Sequence, residues 1–252
     1  MKISVCVDAL FKGKDFIESV RDLYVAGVPA FEFWSWWDKD LQSIKNAKAE
    51  TGMEISAFCT KFISLVDKRA HDSYLDGLKQ SLQAANSLGC KRLISQTGYD
   101  TGYPREYQLK TMMNGLLKCL PYLQEAGVTL LVEPLNLRID HAGYFLSTSI
   151  EAFWLIESIN SPYIKVLFDI YHQQVTEGNI INNITENIDK IGHFHAAGLP
   201  GRAELFNGEL NYQEICRSID ETGYNGYLGL EYFPKKDVIN GIKNVLAYML
   251  EI

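Results

Sequence analysis

Residues 129–133 read Thr-Leu-Leu-Val-Glu, a short apolar run that ends at a glutamate. The same arrangement, an apolar run closed by an acidic or imidazole side chain, recurs in YIKVLFDIYH at 163–172, in IGHFHAA at 191–197 and in YLGLEYF at 227–233. The residues that close the four runs are Glu133, Asp169, His195 and Glu231. They are roughly one strand–helix unit apart, so four successive parallel strands of a barrel would carry all four to the same end.

The whole chain alternates between predicted strands and predicted helices. Eight runs rich in Val, Ile, Leu and Phe lie near residues 3–7, 30–34, 54–58, 92–96, 129–133, 164–169, 191–196 and 227–231. Between them apolar residues recur every three or four positions, as at Leu75, Leu78 and Leu82, which is typical of helices that cover a sheet along one stripe. Several of these helices are predicted to end at a glycine, namely Gly27, Gly52, Gly89, Gly127 and Gly223.

Two architectures fit this alternation, and the first turn helps to separate them. An open doubly wound sheet would usually carry a glycine-rich phosphate-binding turn after its first strand, but residues 8–13 read Asp-Ala-Leu-Phe-Lys-Gly. Eight repeats with polar residues at the ends of strands five to eight favour the closed barrel, and its usual size of about 250 residues agrees with the length of 252. We therefore predict an α/β fold, a single (β/α)8 TIM barrel in one domain that spans residues 1–252.

Composition narrows the classes of partner. The formal net charge is −7 and no cluster of five or six lysines or arginines exists, so the sequence predicts no nucleic-acid partner. No apolar stretch reaches 18 residues, and Asp8 interrupts an N-terminal run too short for a signal peptide, so we expect no membrane association and no secretion by that route. The five scattered cysteines form no Cys-x-x-Cys pair and indicate reduced thiols in a cytoplasmic protein. The sequence leaves a homo-oligomer open.

A carboxylate at the end of a buried run needs a partner, because burying its charge alone is costly. Each position has a plain explanation: Glu133 could emerge into solvent or pair with Arg138, and Asp169 could be a helix N-cap. Four such residues at the same end of successive strands favour one shared divalent metal. Three carboxylates and one imidazole suit Mn²⁺, our first choice, and also Mg²⁺, Co²⁺ or Zn²⁺.

Other polar and aromatic residues near the predicted strand ends have simpler interpretations. His193 and His195 are two positions apart and face the same way, and we interpret His193 as a hydrogen-bonded interior residue. Lys61 is interpreted as solvated. A tryptophan-rich segment at residues 33–38 could wall the site or stack on a substrate, but its Trp34, Trp36 and Trp37 are more simply interpreted as core or as a subunit interface.

Six segments of the chain resemble the hydroxypyruvate isomerase family, which belongs to the xylose-isomerase-like barrels. They are EPLN at 133–136, DHAGY at 140–144, FDIYH at 168–172, GHFH at 192–195, PGR at 200–202 and GLEY at 229–232. The resemblance extends over nearly the whole chain and is densest from residue 129 onward. It implies a metal-dependent isomerase that converts hydroxypyruvate to tartronate semialdehyde, or acts on a 2-oxo-tetronate, through an enediolate.

The resemblance also implies a role for each matching residue. Glu133, Asp169, His195 and Glu231 match metal ligands, and the catalytic residues Glu133 and Glu231 would in addition move protons. His172 and Arg202 match positions that bind substrate oxygens, and Arg202 could hold the carboxylate of a small sugar acid or keto acid as a fork.

The segment after His195 departs from the family pattern. The family usually has Val-Ala-Asp and then Pro-Gly-Arg-His-Glu-Pro-Gly-Thr-Gly-Glu, whereas this chain has Ala-Ala-Gly at 196–198 and Pro-Gly-Arg-Ala-Glu-Leu-Phe-Asn-Gly-Glu at 200–209. Gly198 therefore replaces an acid, and residues 203–207 change the loop over the site. We therefore expect the metal site to be retained. The changed loop could instead have altered which substrate the protein accepts.

The same superfamily supplies the competing functions. A ketose 3-epimerase or an inositol-pathway dehydratase or isomerase would use the same metal and glutamates. An apurinic-site endonuclease would need more histidines than the five present, and a basic groove. A barrel that binds a sugar or a protein partner without catalysis is the last alternative.

Overall fold

A computed structural model of the protein describes residues 1–206 and 208–250, in which eight parallel strands form a closed barrel. The strands follow chain order around the barrel, and β8 pairs with β1 to close it. Their bounds are β1 Lys2–Cys6, β2 Ala30–Phe33, β3 Glu54–Cys59, β4 Arg92–Ser95, β5 Thr129–Val132, β6 Ile164–Asp169, β7 Ile191–Ala196 and β8 Tyr227–Leu230. The prediction of an α/β fold with a TIM barrel is confirmed.

Ten α-helices within the described residues cover the barrel. They are α1 Val7–Leu10, α2 Phe16–Val25, α3 Leu41–Thr51, α4 His71–Leu88, α5 Arg105–Ala126, α6 Ser149–Ile159, α7 Ile170–Thr176, α8 Ile180–Glu186, α9 Tyr212–Glu221 and α10 Val238–Leu250. Short 3₁₀ turns lie at Lys68–Ala70 and Ile188–Lys190. Asn207 of the loop predicted at 203–207, and residues 251–252 of the predicted domain, lie outside the described residues.

The local signals in the sequence account for the helices. In α4, Leu78 and Leu82 are buried, and Leu75 is partly buried against the same core, as the predicted period requires. Gly52 ends α3 and Gly89 ends α4, each in the left-handed conformation with φ of 70° and 68°. The predicted glycine stops therefore lie where α3 and α4 turn back toward the next strand.

The interior of the barrel has an apolar part and a polar part. Ala57, Cys59, Ile94, Leu131 and Leu167 form an apolar cluster inside the barrel, and Trp34 packs against it. The polar part contains fully buried side chains from β1, β2, β3 and β7, namely Ser4, Glu32, Ser56 and His193. Burying a charged residue such as Glu32 is costly unless neighbouring side chains form hydrogen bonds with it. The polar part therefore forms a connected hydrogen-bond network.

Two predictions made from the sequence, reduced cysteines and the absence of a membrane-spanning segment, can be compared with the structure. All five cysteines, Cys6, Cys59, Cys90, Cys119 and Cys216, are free and buried, which agrees with reduced thiols. Among the residues described, none of the helices combines the length and the apolar character needed to cross a bilayer.

Candidate metal and substrate site

The carboxyl ends of β5 to β8 carry the four predicted ligands. Asp169 is the last residue of β6 and His195 the last but one of β7, while Glu133 and Glu231 directly follow β5 and β8. Strand pairing places Asp169 beside His195 and His195 beside Gly229. Because the strands are parallel and their carboxyl ends lie at the same end of the barrel, side chains separated by many residues in sequence reach one point.

The four side chains converge closely enough to share one ion. Each offers one ligand atom, and these atoms all lie within 4.8 Å of one another. Nδ1 of His195 lies 3.4 Å from Oε2 of Glu231 and 3.7 Å from Oε1 of Glu133, and it has no hydrogen-bond partner among the described residues. Three buried carboxylates around an unpartnered imidazole nitrogen form a donor set that fits a divalent cation.

Burial and neighbouring charges shift the pKa values of the four groups, and burial raises the pKa of Asp169 against the opposing charges of Arg202 and His195. Burial raises the pKa of Glu133 to about 7, against the opposing influence of His195, and Glu231 and Asp169 add to the rise. Burial would also raise the pKa of Glu231, but the charges of Arg202 and His195 outweigh it and hold that pKa well below its usual value. For His195, burial is outweighed by Glu231 and Glu32, which raise its pKa well above the usual range. The buried carboxylates therefore disfavour one another's charged forms, and a bound cation would stabilise those forms.

Arg202 supplies a positive charge to this cluster. Its guanidinium contacts the carboxylate of Glu231 and lies 3.5 Å from Oδ2 of Asp169, and its side chain is 11% exposed. The guanidinium also lies over the rings of Tyr171 and Phe233, at 5.3 and 5.8 Å from their centroids. Nε of Arg202 is buried and has no hydrogen-bond partner in the described part of the chain. This nitrogen is thus a free donor at the site.

His172 presents a second free donor. Oδ1 of Asn136 accepts the backbone N–H groups of Ile139 and Asp140, at 3.0 and 3.2 Å, so the amide nitrogen of Asn136 faces His172. That nitrogen donates to Nδ1 of His172 at 2.6 Å, and burial lowers the pKa of His172 well below its usual value, with Arg202 adding to the effect. The hydrogen-bond network thus assigns a neutral ring with its proton on Nε2. Nε2 has no partner within the described residues.

Asp169 combines two roles that the sequence presented as alternatives. Its Oδ1 accepts the backbone N–H of His172 at 3.1 Å and caps the N-terminus of α7. Its Oδ2 faces the site, 3.6 Å from Nε2 of His172. The N-cap interpretation and the ligand hypothesis are compatible because they use different oxygens.

The tryptophan segment needs a correction. Core or interface was the favoured interpretation, but Trp34 lines the cavity and its Nε1 donates to Oε1 of Glu231 at 2.6 Å. Trp36 does pack against the core, with Nε1 donating to Ser81, and Trp37 is 38% exposed beside Phe62. The apolar run before Trp34 gave no sign of this contact, because its partner lies at the opposite end of the chain.

Glu32 is the buried polar residue that the sequence interpretation missed. It lies in β2 within Ala-Phe-Glu-Phe, of which all four residues are buried, and it accepts a hydrogen bond from Nε2 of His193 at 2.9 Å. His193 is therefore an interior hydrogen-bonded histidine, as predicted. A charged residue inside an apolar run is the sequence signal that identifies Glu32.

The side chain of Lys61 donates a hydrogen bond to Gln80 at 2.6 Å, and Lys61 is not among the residues that line the cavity.

The cluster of predicted ligands adjoins one cavity of about 340 Å³, a size suited to a small molecule. Glu133, His195 and Glu231 lie in its wall together with His172 and Arg202. The apolar part of the wall comes from Trp34, Cys59, Phe62, Ile94, Leu135 and Phe233. A mostly apolar cavity with a few converging polar groups is typical of an enzyme site that excludes water.

The altered loop after β7 positions Arg202. Gly198 and Ala203 exchange backbone hydrogen bonds of 2.7 and 3.2 Å, which closes the turn that carries Arg202. Ala203, Glu204 and Leu205 are buried and do not line the cavity, and the changed residue Asn207 lies outside the described residues. Within the described part of the loop, Arg202 is thus the residue that lines the cavity.

Comparison with known proteins gives consistent matches along the whole chain. A family model described as xylose isomerase-like TIM barrel matches residues 19–251. Hydroxypyruvate isomerase of Escherichia coli is 28% identical, in an alignment that covers 96% of this chain and 97% of that protein. 2-Oxo-tetronate isomerase of Haemophilus influenzae is 25% identical, with 96% of each chain covered. The crystal structure of an AP endonuclease of family 2 from Brucella melitensis superimposes with a TM-score of 0.91 at 26% identity, with 98% of each chain covered.

Proposed function

This chain belongs to the xylose isomerase-like TIM barrel family, and we propose that it isomerises a small keto acid, hydroxypyruvate or a 2-oxo-tetronate, through an enediolate. Two relatives aligned over nearly its whole length are named as isomerases of these substrates. The observation that carries the proposal is the convergence of Glu133, Asp169, His195 and Glu231 at one point. Three of them, Glu133, His195 and Glu231, lie in the wall of a small cavity that also contains Arg202.

A divalent cation completes the proposed site, held by Glu133, Asp169, His195 and Glu231. The donor set of three carboxylates and one imidazole suits Mn²⁺ first, and Mg²⁺, Co²⁺ or Zn²⁺ as alternatives. When bound, the cation supplies Lewis-acid stabilisation of the negative charge that develops on the substrate oxygens. The unpartnered Nδ1 of His195 supports this assignment, because a buried nitrogen of this kind needs a ligand.

Glu133 and Glu231 are the proposed proton carriers. They extend from β5 and β8, the two strands that bound the cluster, so a substrate between them can be approached from both sides. For hydroxypyruvate, one carboxylate removes a proton from C3, the hydroxyl proton of O3 is transferred to O2, and the other carboxyl group returns a proton to C2. The product is tartronate semialdehyde, with no net gain or loss of protons.

His172 and Arg202 are the proposed substrate-binding residues. The Nε2–H group of His172 can donate to a substrate oxygen without losing another hydrogen bond, since it has none within the described residues. The Nε–H group of Arg202 likewise has no hydrogen-bond partner within the described residues. The guanidinium of Arg202 can bind a carboxylate through two parallel hydrogen bonds. Because this guanidinium now contacts Glu231 and Asp169, a substrate carboxylate competes with those groups for it.

Proton exchange tests the proposed reaction directly. The protein loaded with Mn²⁺ is incubated in heavy water with hydroxypyruvate, or with a four-carbon 2-oxo acid, and followed by NMR. We expect deuterium to enter at C3, next to the carbonyl, because enediolate formation makes that position exchange with solvent through a carboxylate. A neutral ketose is the matched control. Exchange with the ketose and none with either keto acid would contradict the proposal and support a 3-epimerase.

Removal of the arginine fork should weaken binding of the keto acid. We expect Arg202→Ala to raise the KM of the keto acid by about 10- to 100-fold, because hydrogen bonds to a charged group contribute about 1.5–3 kcal/mol. Steady-state kinetics measures the effect. Arg105→Ala is the matched control, since Arg105 pairs with Glu151 and is not in the cavity wall. An unchanged KM in Arg202→Ala would remove the carboxylate-binding role.

The remaining candidate functions have less support. A ketose 3-epimerase or an inositol-pathway dehydratase or isomerase would share the ligands and differ at Arg202. For an endonuclease, the net charge of −7 is unfavourable, and the two metal-ligand groups found among the described residues both include His195. In a non-catalytic barrel, the free hydrogen-bond donors of His172 and Arg202 would have no catalytic role. The single domain of 1–252, the cytoplasmic location and a homo-oligomer remain predictions.

A further inference from the structure

We propose that Glu32 is a positioning residue, which holds the ring of His195 so that its Nδ1 faces the metal ligands. Glu32 does not reach the cavity and acts through His195. The inference rests on the metal site of the proposed function.

The contacts of Glu32 leave one of its oxygens for His195. Oε2 accepts three hydrogen bonds, from the hydroxyls of Ser4 and Ser56 at 2.9 and 2.8 Å and from Nε2 of His193 at 2.9 Å. Oε1 accepts none among the described residues, and it lies 3.0 Å from Nε2 of His195. The carboxylate therefore has a satisfied side, which anchors it, and a free side, which faces the ring of His195.

The ring of His195 lies between two sets of carboxylates. Its Nε2 faces Glu32, and its Nδ1 faces Glu133 and Glu231. A histidine that binds a metal through Nδ1 must carry its proton on Nε2, and a carboxylate within reach of that N–H stabilises this tautomer and this ring orientation. Glu32 is in the position to do both.

Packing around Gly229 indicates that the arrangement is tight. A β-carbon at this position of β8 would lie 2.1 Å from Oε1 of Glu32 and 2.8 Å from Cδ2 of His195. A glycine is therefore required for the Glu32 carboxylate and the His195 ring to lie side by side. The space left by Gly229 lies beside Oε1 of Glu32, whereas His193 contacts Oε2.

Two variants separate positioning of His195 from simple stabilisation of the interior. Glu32→Gln removes the charge, and it cannot offer an acceptor to both His193 and His195 while its amide group faces one of them. His193→Gln is the matched control: it changes the hydrogen bond on the anchored oxygen and retains the Glu32–His195 contact. Circular dichroism and chemical denaturation of each full-length variant establish that it is folded.

The measurement is Mn²⁺ affinity by titration calorimetry, without any substrate. We expect Glu32→Gln to raise the Kd by about 10- to 100-fold, the usual effect of losing a carboxylate behind a histidine ligand. We expect His193→Gln to bind Mn²⁺ about as tightly as the unmodified chain. In protein loaded with Zn²⁺ and labelled with ¹⁵N-histidine, NMR should show His195 with a proton on Nε2 alone, which establishes that Nδ1 is the metal-binding nitrogen.

The outcomes distinguish this inference from the proposed function. If Glu32→Gln binds Mn²⁺ as tightly as the unmodified chain, or if His193→Gln weakens binding equally, Glu32 does not position His195 and the inference fails alone. If the unmodified chain binds neither Mn²⁺ nor Zn²⁺, the metal site of the proposed function fails and the inference fails with it.

Discussion

Glu133→Gln and Glu231→Gln should each lower turnover of the keto acid by about 10²- to 10⁴-fold, the range over which a positioned acid or base contributes. Glutamine has nearly the shape of glutamate but cannot accept or return a proton. Both residues also belong to the donor set, so turnover is measured with Mn²⁺ at saturating concentration. The loss that persists under these conditions reports on proton transfer and not on metal affinity.

The position of deuterium then assigns the two roles. The variant that lacks the group removing the proton from C3 should show no exchange there in heavy water. The variant that lacks the returning group should still exchange at C3 but form no aldehyde. Glu177→Gln is the matched control, because Glu177 is a partly buried carboxylate at the end of α7 that accepts from the backbone N–H of Ser149 at 3.0 Å and does not line the cavity. Full turnover in either variant of Glu133 or Glu231 would contradict the mechanism.

Asp169→Asn should weaken metal binding by more than about 100-fold, beyond the loss expected for a residue behind the ligands. The replacement keeps an oxygen able to accept the N–H of His172, and asparagine is as good an N-cap as aspartate, so α7 should retain its cap. What is lost is the negative charge at Oδ2, which faces the site. Metal content after dialysis and titration calorimetry with Mn²⁺ measure the effect, and turnover should fall with them.

Asp40→Asn provides the matched comparison for Asp169→Asn. Asp40 caps α3 by accepting the N–H of Gln42 at 3.0 Å, and it is exposed on the outside of the barrel. The same chemical change there should alter neither the metal content nor turnover. If Asp169→Asn retains as much Mn²⁺ as the unmodified chain, Asp169 is an N-cap only, and the four-residue donor set proposed for the site is wrong.

Much of the fold and of the candidate site could be predicted because the signals are local. The runs that end at Glu133 and Asp169 show both strand burial and a costly charge at the strand end within a few residues. Glu32 gave the same kind of signal, a charged residue in a buried run, but lies on β2, outside the four strands that end in predicted ligands. Trp34 gave no signal of its contact with Glu231, since an indole side chain fits a core, an interface or a site equally well.

The strand–helix alternation and the polar ends of β5 to β8 follow from the amino-acid sequence alone, because periodicity and the cost of burying charge are properties of each segment. Which buried groups meet depends on the folded barrel. Closure of the barrel brings Glu32 to His193 across 161 residues and Trp34 to Glu231 across 197. Such contacts depend on strand register and on the space left at Gly229, which no segment encodes alone.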